Sequence, residues 1–376
     1  MNVFTKSKIA NLNTVNKLVS QPMEGNDAVN SGKPSEKTIN RYKKLAHGNW
    51  GVVIAEAISV STTSLARING LVLNEQNLDK FKELVDEFKK INNETVLIFQ
   101  ITHAGMKSGC FSEKVTLCPG QNDEYRYLST EDVERIKQDF INSILLAEKA
   151  GADGIDLKMC HGYFGAEMLR PMNTRNDKWG GSLENRTRFL SETISEVKSK
   201  LNNPNFILGS RISMYEAIRG GCGTIAPDDI TEDLTDQAKI IKLMSSLGMD
   251  YVNVSAGIPG VTSEITRPTN GSKNLYLNHF RYTKYTKEIL GKINSEMKVI
   301  GSAYSVLKEK AIYFANENIE KKYTDFVGFG RQSFADPLYP KKLANNEKIN
   351  FCSVCSGCSK LMVKQLNTGC IIYDNY

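Results

Sequence analysis

Eight short, β-branched apolar runs that alternate with amphipathic helical stretches predict an α/β fold, a (β/α)8 TIM barrel with a short cysteine-rich C-terminal extension. The runs are almost continuously apolar, which is typical of parallel strands covered by helices. A doubly wound open sheet would instead carry a glycine fingerprint between its first strand and first helix. The GxGxxA match in this chain, at 221–226, lies far from the first strand and just before Pro227. The sequence therefore favours the closed barrel.

The predicted strands lie at 17–22, 52–57, 95–101, 154–158, 206–212, 251–255, 298–302 and 325–330. Amphipathic helices are predicted between them at 35–47, 78–90, 129–151, 182–200 and 228–248. We expect the barrel to occupy residues 1–345 and the cysteine-rich segment to occupy residues 346–376.

Composition excludes several classes of protein. Among 376 residues, 48 Lys and Arg against 42 Asp and Glu leave a net charge of +6, and the charges are scattered. The chain has no long basic run and no apolar run of about 18 residues, so neither a nucleic acid nor a membrane is expected as a partner. The polar N-terminus does not resemble a signal peptide, and we expect a cytoplasmic protein.

Polar residues at the predicted strand ends are the first candidates for chemistry, because a TIM barrel builds its active site there. The last two strands end in small-residue turns, at Ser302 and Ala303 and at Gly330 and Arg331. Such turns bind phosphate through backbone N–H groups at the start of a helix, and an arginine adds a cationic fork. The sequence predicts a phosphorylated ligand or cofactor at this place.

The fourth strand supplies a second polar group. Alternation along it turns Ile155 and Leu157 to one face and Lys158 to the other, towards the barrel mouth. His161 and Tyr163 follow in the same loop. A cation, an imidazole and a phenol together suit stabilisation of an oxyanion with delivery of a proton.

Residues 151–190, which contain the stretch GGSLENR, resemble the Old Yellow Enzyme family of FMN-dependent NADH:flavin oxidoreductases and ene-reductases. The resemblance continues in QPMEGNDA, FQITHAG, SRIS and FVGFGRQSFADP, and it covers roughly residues 15–345. It implies a TIM barrel with FMN bound at its mouth. It also implies FMN contacts from the following residues: Pro22, Met23, Glu56 or its neighbour Ala55, Gln100, Arg211, Ser302, Ala303, Gly330 and Arg331.

By the same resemblance, Tyr163 is the catalytic proton donor, and His161 and Lys158 hold the activating oxygen of a small-molecule substrate with an activated alkene. NAD(P)H is the implied reductant of the flavin. Two positions depart from the family. Lys158 replaces a usual histidine, and Glu24 follows Pro-Met where a small residue is common.

Four cysteines crowd the end of the chain in the pattern C-x2-C-x2-C-x11-C, and we call them the C-terminal cysteines: Cys352, Cys355, Cys358 and Cys370. Four thiolates can hold a [4Fe–4S] cluster or a structural zinc ion, and unrelated buried cysteines are the third interpretation. The family branch that includes 2,4-dienoyl-CoA reductase carries a cysteine cluster at this place, which favours iron–sulfur. Only six residues follow Cys370, so we expect no second flavin or nucleotide domain. Electrons would then come directly from NAD(P)H or from a separate donor protein. A homo-oligomer is compatible with the sequence.

Two other functions compete. A lyase or aldolase could use Lys158 to form a Schiff base with a phosphorylated carbonyl substrate, but it gives no role to GGSLENR or to the C-terminal cysteines. A non-catalytic barrel that docks partners through its cysteine segment would bind no flavin. Yellow colour of the purified protein would separate both from the flavoenzyme.

Overall fold

Eight parallel strands close into a barrel in a computed structural model that describes residues 2–120 and 123–373. The barrel strands are β3 (Leu18–Ser20), β4 (Val52–Ser59), β5 (Val96–Thr102), β8 (Gly154–Met159), β9 (Ile207–Ser213), β10 (Tyr251–Ser255), β11 (Lys298–Gly301) and β12 (Phe326–Phe329). They follow one another around the barrel in chain order, and β12 closes it by pairing with β3. The predicted fold class is confirmed, and each predicted strand forms a strand of the barrel.

Helices cover the outside of the barrel and also lie at its C-terminal end. They are α1 (Glu36–His47), α2 (Leu78–Ile91), α3 (Thr130–Lys149), α4 (Phe164–Leu169), α5 (Leu183–Lys200), α6 (Thr235–Ser246), α7 (Ser263–Thr266), α8 (Tyr276–Lys292), α9 (Ala311–Glu320), α10 (Arg331–Ala335), α11 (Tyr339–Ala344) and α12 (Gly357–Val363). Short 3-10 turns lie at Asn30–Gly32, Gly105–Lys107, Lys273–Leu275 and Tyr304–Lys310. Ser35 and Ser129 cap α1 and α3 with capping boxes, which explains why these helices begin where the sequence predicts.

The apolar core has two layers. Inward side chains such as Val19, Val52 and Ile98 fill the barrel, and outward side chains such as Leu97 and Leu157 pack under the helices. Ile9 belongs to the inner layer and comes from the hairpin β1 (Ser7–Ile9) and β2 (Leu12–Thr14). The hairpin therefore closes the N-terminal end of the barrel, and the opposite end is left for the site.

Some local features differ from the sequence prediction. A short parallel pair forms between β6 (Val115–Thr116) and β7 (Arg126–Tyr127). The helix predicted over 228–248 begins only at Thr235. Asp233 accepts from the Thr235 backbone N–H at 2.8 Å, and the Glu232 carboxylate is held by Arg281 and Tyr282, so the preceding residues form a loop. Among the described residues, no helix is both long and apolar enough to cross a membrane.

Candidate active site

A cavity of about 680 Å³ opens at the C-terminal ends of the barrel strands, and its size is within the usual range for ligand sites. It brings together most of the candidate residues: Pro22, Met23, Gln100, Lys158, His161, Tyr163, Arg211, Ser302, Ala303, Gly330 and Arg331. These residues come from six different strand ends and the loops that follow them. The strand-end reasoning therefore located one contiguous cavity.

The side chains of Ala55 and Glu56 do not line this cavity, which corrects the expectation for β4. The pairing of β4 with β5 shifts between Ala55 and Ala57, so Glu56 is the extra residue of a β-bulge. The bulge turns the Glu56 carboxylate to Arg41 and to the Gly25 backbone N–H at 3.0 Å, and Ala57 faces the cavity instead.

Glu24 organises the polar residues around the proposed proton donor. The Tyr163 hydroxyl donates to Glu24 Oε1 at 3.0 Å, and Arg67 Nε lies 2.8 Å from Glu24 Oε2. Lys158 Nζ lies 3.8 Å from Glu24 Oε1 and 3.3 Å from the centroid of the Tyr163 ring. The departure from the family pattern at Glu24 thus sits in direct contact with the departure at Lys158.

Charge sets the protonation of this group. Burial opposes ionisation of Glu24, but Arg67 and Lys158 outweigh it and lower the pKa of that carboxyl, so Glu24 is an anion near neutral pH. Burial, with Glu24 as the next cause, raises the pKa of Tyr163, so the phenol keeps its proton. Burial lowers the pKa of Lys158, and Glu24 partly offsets this effect.

His161 lies on the other side of Lys158 and is neutral. Burial, followed by the charges of Arg211 and Lys158, lowers its pKa well below the ordinary value. Its Nε2 is 2.7 Å from Ser255 Oγ, and Ser213 Oγ accepts from its backbone N–H at 3.0 Å. The left-handed backbone at His161, with φ of 65°, is held by these contacts.

Buried amides and carboxylates build the floor of the cavity. Gln21 and Asn253 exchange side-chain hydrogen bonds at 2.9 and 2.8 Å across the barrel mouth. Gln100 donates to Asp156 Oδ1 at 2.8 Å, and Tyr251 donates to Asp156 Oδ2 at 2.9 Å. Asp156 points into the barrel as the alternation along β8 predicts. Because these polar groups are hydrogen-bonded to one another, the floor is a rigid base for a ligand.

The turns after β11 and β12 form a basic corner of the cavity. Ala303 has a left-handed backbone, with φ of 73°, at the start of the 3-10 turn, and Gly330 precedes α10. Arg331 is only 7% exposed, and its guanidinium donates to the Pro268 carbonyl at 2.8 Å. Burial lowers the pKa of Arg331, as expected for a desolvated cation.

The cysteine segment forms part of the cavity wall, through α12 and the residues around it. Thr368 donates its backbone N–H to the Gly25 carbonyl at 2.7 Å, and Gln332 Oε1 accepts from the Cys352 backbone N–H at 2.9 Å. The segment therefore connects the loop after β3 with the turn after β12. Nowhere in residues 2–120 or 123–373 do three His, Cys, Asp or Glu side chains come close enough to hold a metal ion.

Several lining residues escaped the sequence reasoning. Arg67 and Lys107 lie on long loops after β4 and β5, Arg267 lies on the loop after β10, and Lys360 and Lys364 come from the C-terminal segment. None of them stands at a strand end, so spacing in the sequence gave no signal. The nearest available signal would have been a surplus of cations in the loops that face the C-terminal ends of the strands.

The GGSLENR stretch, residues 180–186, and the neighbouring Asn173 have a structural role. Arg186 donates to the Leu169 carbonyl at 2.7 Å and to Asp236 Oδ2 at 2.8 Å. Asn173 Nδ2 donates to the carbonyls of Met168 and Trp179 at 3.1 and 2.9 Å. These bonds fix the end of α4, the helix that begins directly after Tyr163. GGSLENR thus supports α4 and Tyr163 from behind and does not line the cavity.

Comparisons with known proteins agree with this geometry. The sequence model described as NADH:flavin oxidoreductase / NADH oxidase family matches residues 2–350. An NADH oxidase of Thermoanaerobacter brockii is 29% identical over 98% of this chain, which spans 53% of that protein. An NADPH dehydrogenase of Clostridium acetobutylicum is 28% identical over 93% of this chain and 96% of its own length.

Solved structures show the same fold. The complex of 2-naphthoyl-CoA reductase with 2-naphthoyl-CoA superposes with a TM-score of 0.81 at 21% identity, over 99% of this chain and 57% of that one. An Old Yellow Enzyme homologue from Zymomonas mobilis superposes with a TM-score of 0.71 at 16% identity, over 93% of this chain and 94% of that one. The family match favours the oxidoreductase interpretation over the Schiff-base lyase.

Proposed function

Because the chain belongs to the NADH:flavin oxidoreductase / NADH oxidase family, we propose that it is an FMN-dependent NAD(P)H oxidoreductase that reduces an activated carbon–carbon double bond. The observation that carries this proposal is the meeting of Lys158, His161 and Tyr163 in the same cavity as the basic corner at Arg331. One end of the cavity would thus bind a phosphate, and the other end would bind a substrate oxygen.

The residues of the cavity fit FMN. Arg211 Nε is buried without a hydrogen-bond partner among the described residues, and Arg211 lines the cavity, so an acceptor on a ligand would satisfy it. Arg331 is a buried cation that forms no ion pair with a described carboxylate, which suits a phosphate. Ser302, Ala303 and Gly330 surround the same corner. Met23, Gln100 and Ala57 line the part of the cavity proposed for the flavin ring.

When bound, FMN would supply the redox chemistry, accepting hydride from NAD(P)H and passing it to the β-carbon of the alkene. Lys158 and His161 would hold the activating oxygen and stabilise the negative charge that develops there. Lys158 is the stronger contributor, since it is a cation and His161 is neutral. Tyr163 would then give its proton to the α-carbon.

The surroundings of Tyr163 support this role. The raised pKa keeps a proton on the phenol but makes the phenolate costly, and the Lys158 ammonium over the ring would offset part of that cost after transfer. The hydroxyl now donates to Glu24, and rotation about its C–O bond redirects the proton to a substrate carbon lying over the cavity.

Binding of a [4Fe–4S] cluster by the C-terminal cysteines is still a prediction. Cys352 and Cys370 pack in the same small apolar cluster as Val306. The thiols of Cys352, Cys355 and Cys358 lie close enough to Arg331 to act on its pKa, which they raise against the effect of burial. Ligation would require these thiols to come closer together. If bound there, a cluster held by these cysteines would lie near Arg331 and would supply one-electron redox chemistry.

Anaerobic half-reactions test the proposed function. NADH or NADPH should bleach the flavin absorbance of the purified protein, and an alkene conjugated to a carbonyl or carboxylate should restore it. A flavin that NAD(P)H reduces but no such alkene reoxidises would contradict the proposed substrate class. A protein that is not reduced by either dinucleotide would require a donor protein.

A further inference from the structure

Two arginines from different loops meet at the basic corner of the cavity. Arg331 donates to the carbonyl of Pro268, which directly follows Arg267 in the chain. Both arginines line the cavity. Burial is the main cause of a lowered pKa at Arg267; the Cys358 thiol opposes this effect and the positive charge of Arg331 adds to it, so the two cations lie within electrostatic range of each other.

Neither guanidinium forms an ion pair with a carboxylate of the described residues. No carboxylate within the described part of the chain lies within 4.0 Å of Arg267 or Arg331, although Arg41, Arg170 and other buried arginines each have one. Eight basic and only two acidic residues line the cavity as a whole. Two desolvated cations of like sign destabilise the folded chain unless an anion lies between them. The surplus of basic residues in the cavity lining points to a ligand that brings negative charge.

Arg267 is also held in place. Its Nη1 donates to Ser359 Oγ in α12 at 2.7 Å, and α12 forms the wall of the cavity at this point. The hydroxyl of Ser359 uses one N–H of the guanidinium, which carries four further N–H donors. A side chain oriented in this way loses little rotamer freedom when it binds a ligand.

We propose that Arg267, oriented by Ser359 and next to Arg331, is a binding site for an oxyanion, either phosphate or carboxylate. This inference rests on the proposed function, in which two molecules could supply that group. The first is the FMN phosphate, which would then lie between two arginines. The second is an acidic group of the substrate, because Arg267 lines the same cavity as Lys158, His161 and Tyr163, the residues proposed to contact the substrate.

Two measurements on Arg267→Ala distinguish these sources. The first is the binding of FMN and of riboflavin, and the second is the turnover of a carboxylate-bearing alkene and of a neutral enone. If the site takes the FMN phosphate, the Kd for FMN should rise about tenfold to hundredfold, as expected for loss of a charge-assisted hydrogen bond, while the Kd for riboflavin should not change. If it takes a substrate anion, FMN binding should be unchanged, and KM should rise for a carboxylate-bearing alkene but not for a neutral enone. The affinities are read from flavin fluorescence on titration into the full chain.

Matched variants control for structure. Arg267→Lys keeps the charge and should recover part of the loss in the affected arm, and Ser359→Ala should give a smaller shift in the same arm. Arg219→Ala removes an exposed arginine that only donates to the Asp228 carbonyl, and it should change neither arm. Unchanged values in both arms, or equal losses for FMN and riboflavin, would overturn the inference.

The proposed function is tested separately in the same experiment. Loss of FMN affinity in Arg331→Ala, with neither the Kd for FMN nor the KM for either alkene changed in Arg267→Ala, would overturn the Arg267 site and leave the flavoenzyme intact. Failure of the unaltered protein to bind either flavin would overturn the proposed function itself.

Discussion

Tyr163→Phe separates the proposed chemistry from the packing of the site. The change removes the hydroxyl that donates to Glu24 at 3.0 Å, and the ring stays under Lys158. A hydrogen bond to a charged group is worth about 1.5–3 kcal/mol. Glu24 keeps Arg67 at 2.8 Å and Lys158 at 3.8 Å, so its carboxylate is not left unpaired and the lower value applies. For a chain of 376 residues, about 1.5 kcal/mol corresponds to a Tm decrease of only about 2 °C.

The kinetic effect should be much larger in one half-reaction only. Removing a general acid costs roughly 10²-fold or more, equivalent to about 2.7 kcal/mol in the barrier. We expect stopped-flow absorbance to show slow flavin reoxidation by the alkene and nearly unchanged reduction by NAD(P)H. Tyr282→Phe is the matched control, since Tyr282 donates to Glu232 at 2.6 Å beside Arg281 on α8, outside the cavity. Equal slowing of both half-reactions by Tyr163→Phe would refute the proton-donor role.

Three further outcomes are expected. Lys158→His should shift the ratio of kcat/KM from a carboxylate-activated alkene towards a ketone-activated one, because an ammonium attracts an anion more strongly than a neutral imidazole; an unchanged ratio would remove Lys158 from the substrate site. Burial raises the pKa of Glu56 to about 7, where one Arg41 serves both Glu56 and Asp27. Stability to urea should therefore fall as the pH rises from about 4.5 to about 7, because the folded chain must give up a proton that the unfolded chain has already lost. Glu56→Gln should weaken this dependence, and Glu167, whose pKa burial raises to about 8, should account for part of what is left. Anaerobically purified protein should contain about four irons and four labile sulfides per chain; substitution of all four C-terminal cysteines by serine should remove them and leave FMN bound, whereas one zinc ion without sulfide would make the segment a structural clip.

The sequence was most informative where a side chain's direction follows from local periodicity. Alternation along β8 correctly placed Asp156 and Lys158 inside the barrel and Leu157 outside it. The apolar runs located the barrel strands for the same reason, since a parallel strand buried on both faces has few polar residues.

Prediction failed where tertiary contacts decide the geometry. The bulge at Glu56 depends on the pairing of β4 with β5 and on Arg41, which lies on α1, and neither is visible in a run of apolar residues. Arg67 and Arg267 reach the cavity from loops whose paths are set by long-range contacts such as that of Arg267 with Ser359. Periodicity carries no information about such loops.

Identification of the bound cofactor tests the central claim most directly. The protein should be purified anaerobically, its absorbance spectrum recorded, and the cofactor released by denaturation and identified by mass. The account predicts FMN, because the basic corner at Arg331 and the turns around it fit one terminal phosphate. Release of FAD, or of no flavin at all, would contradict it.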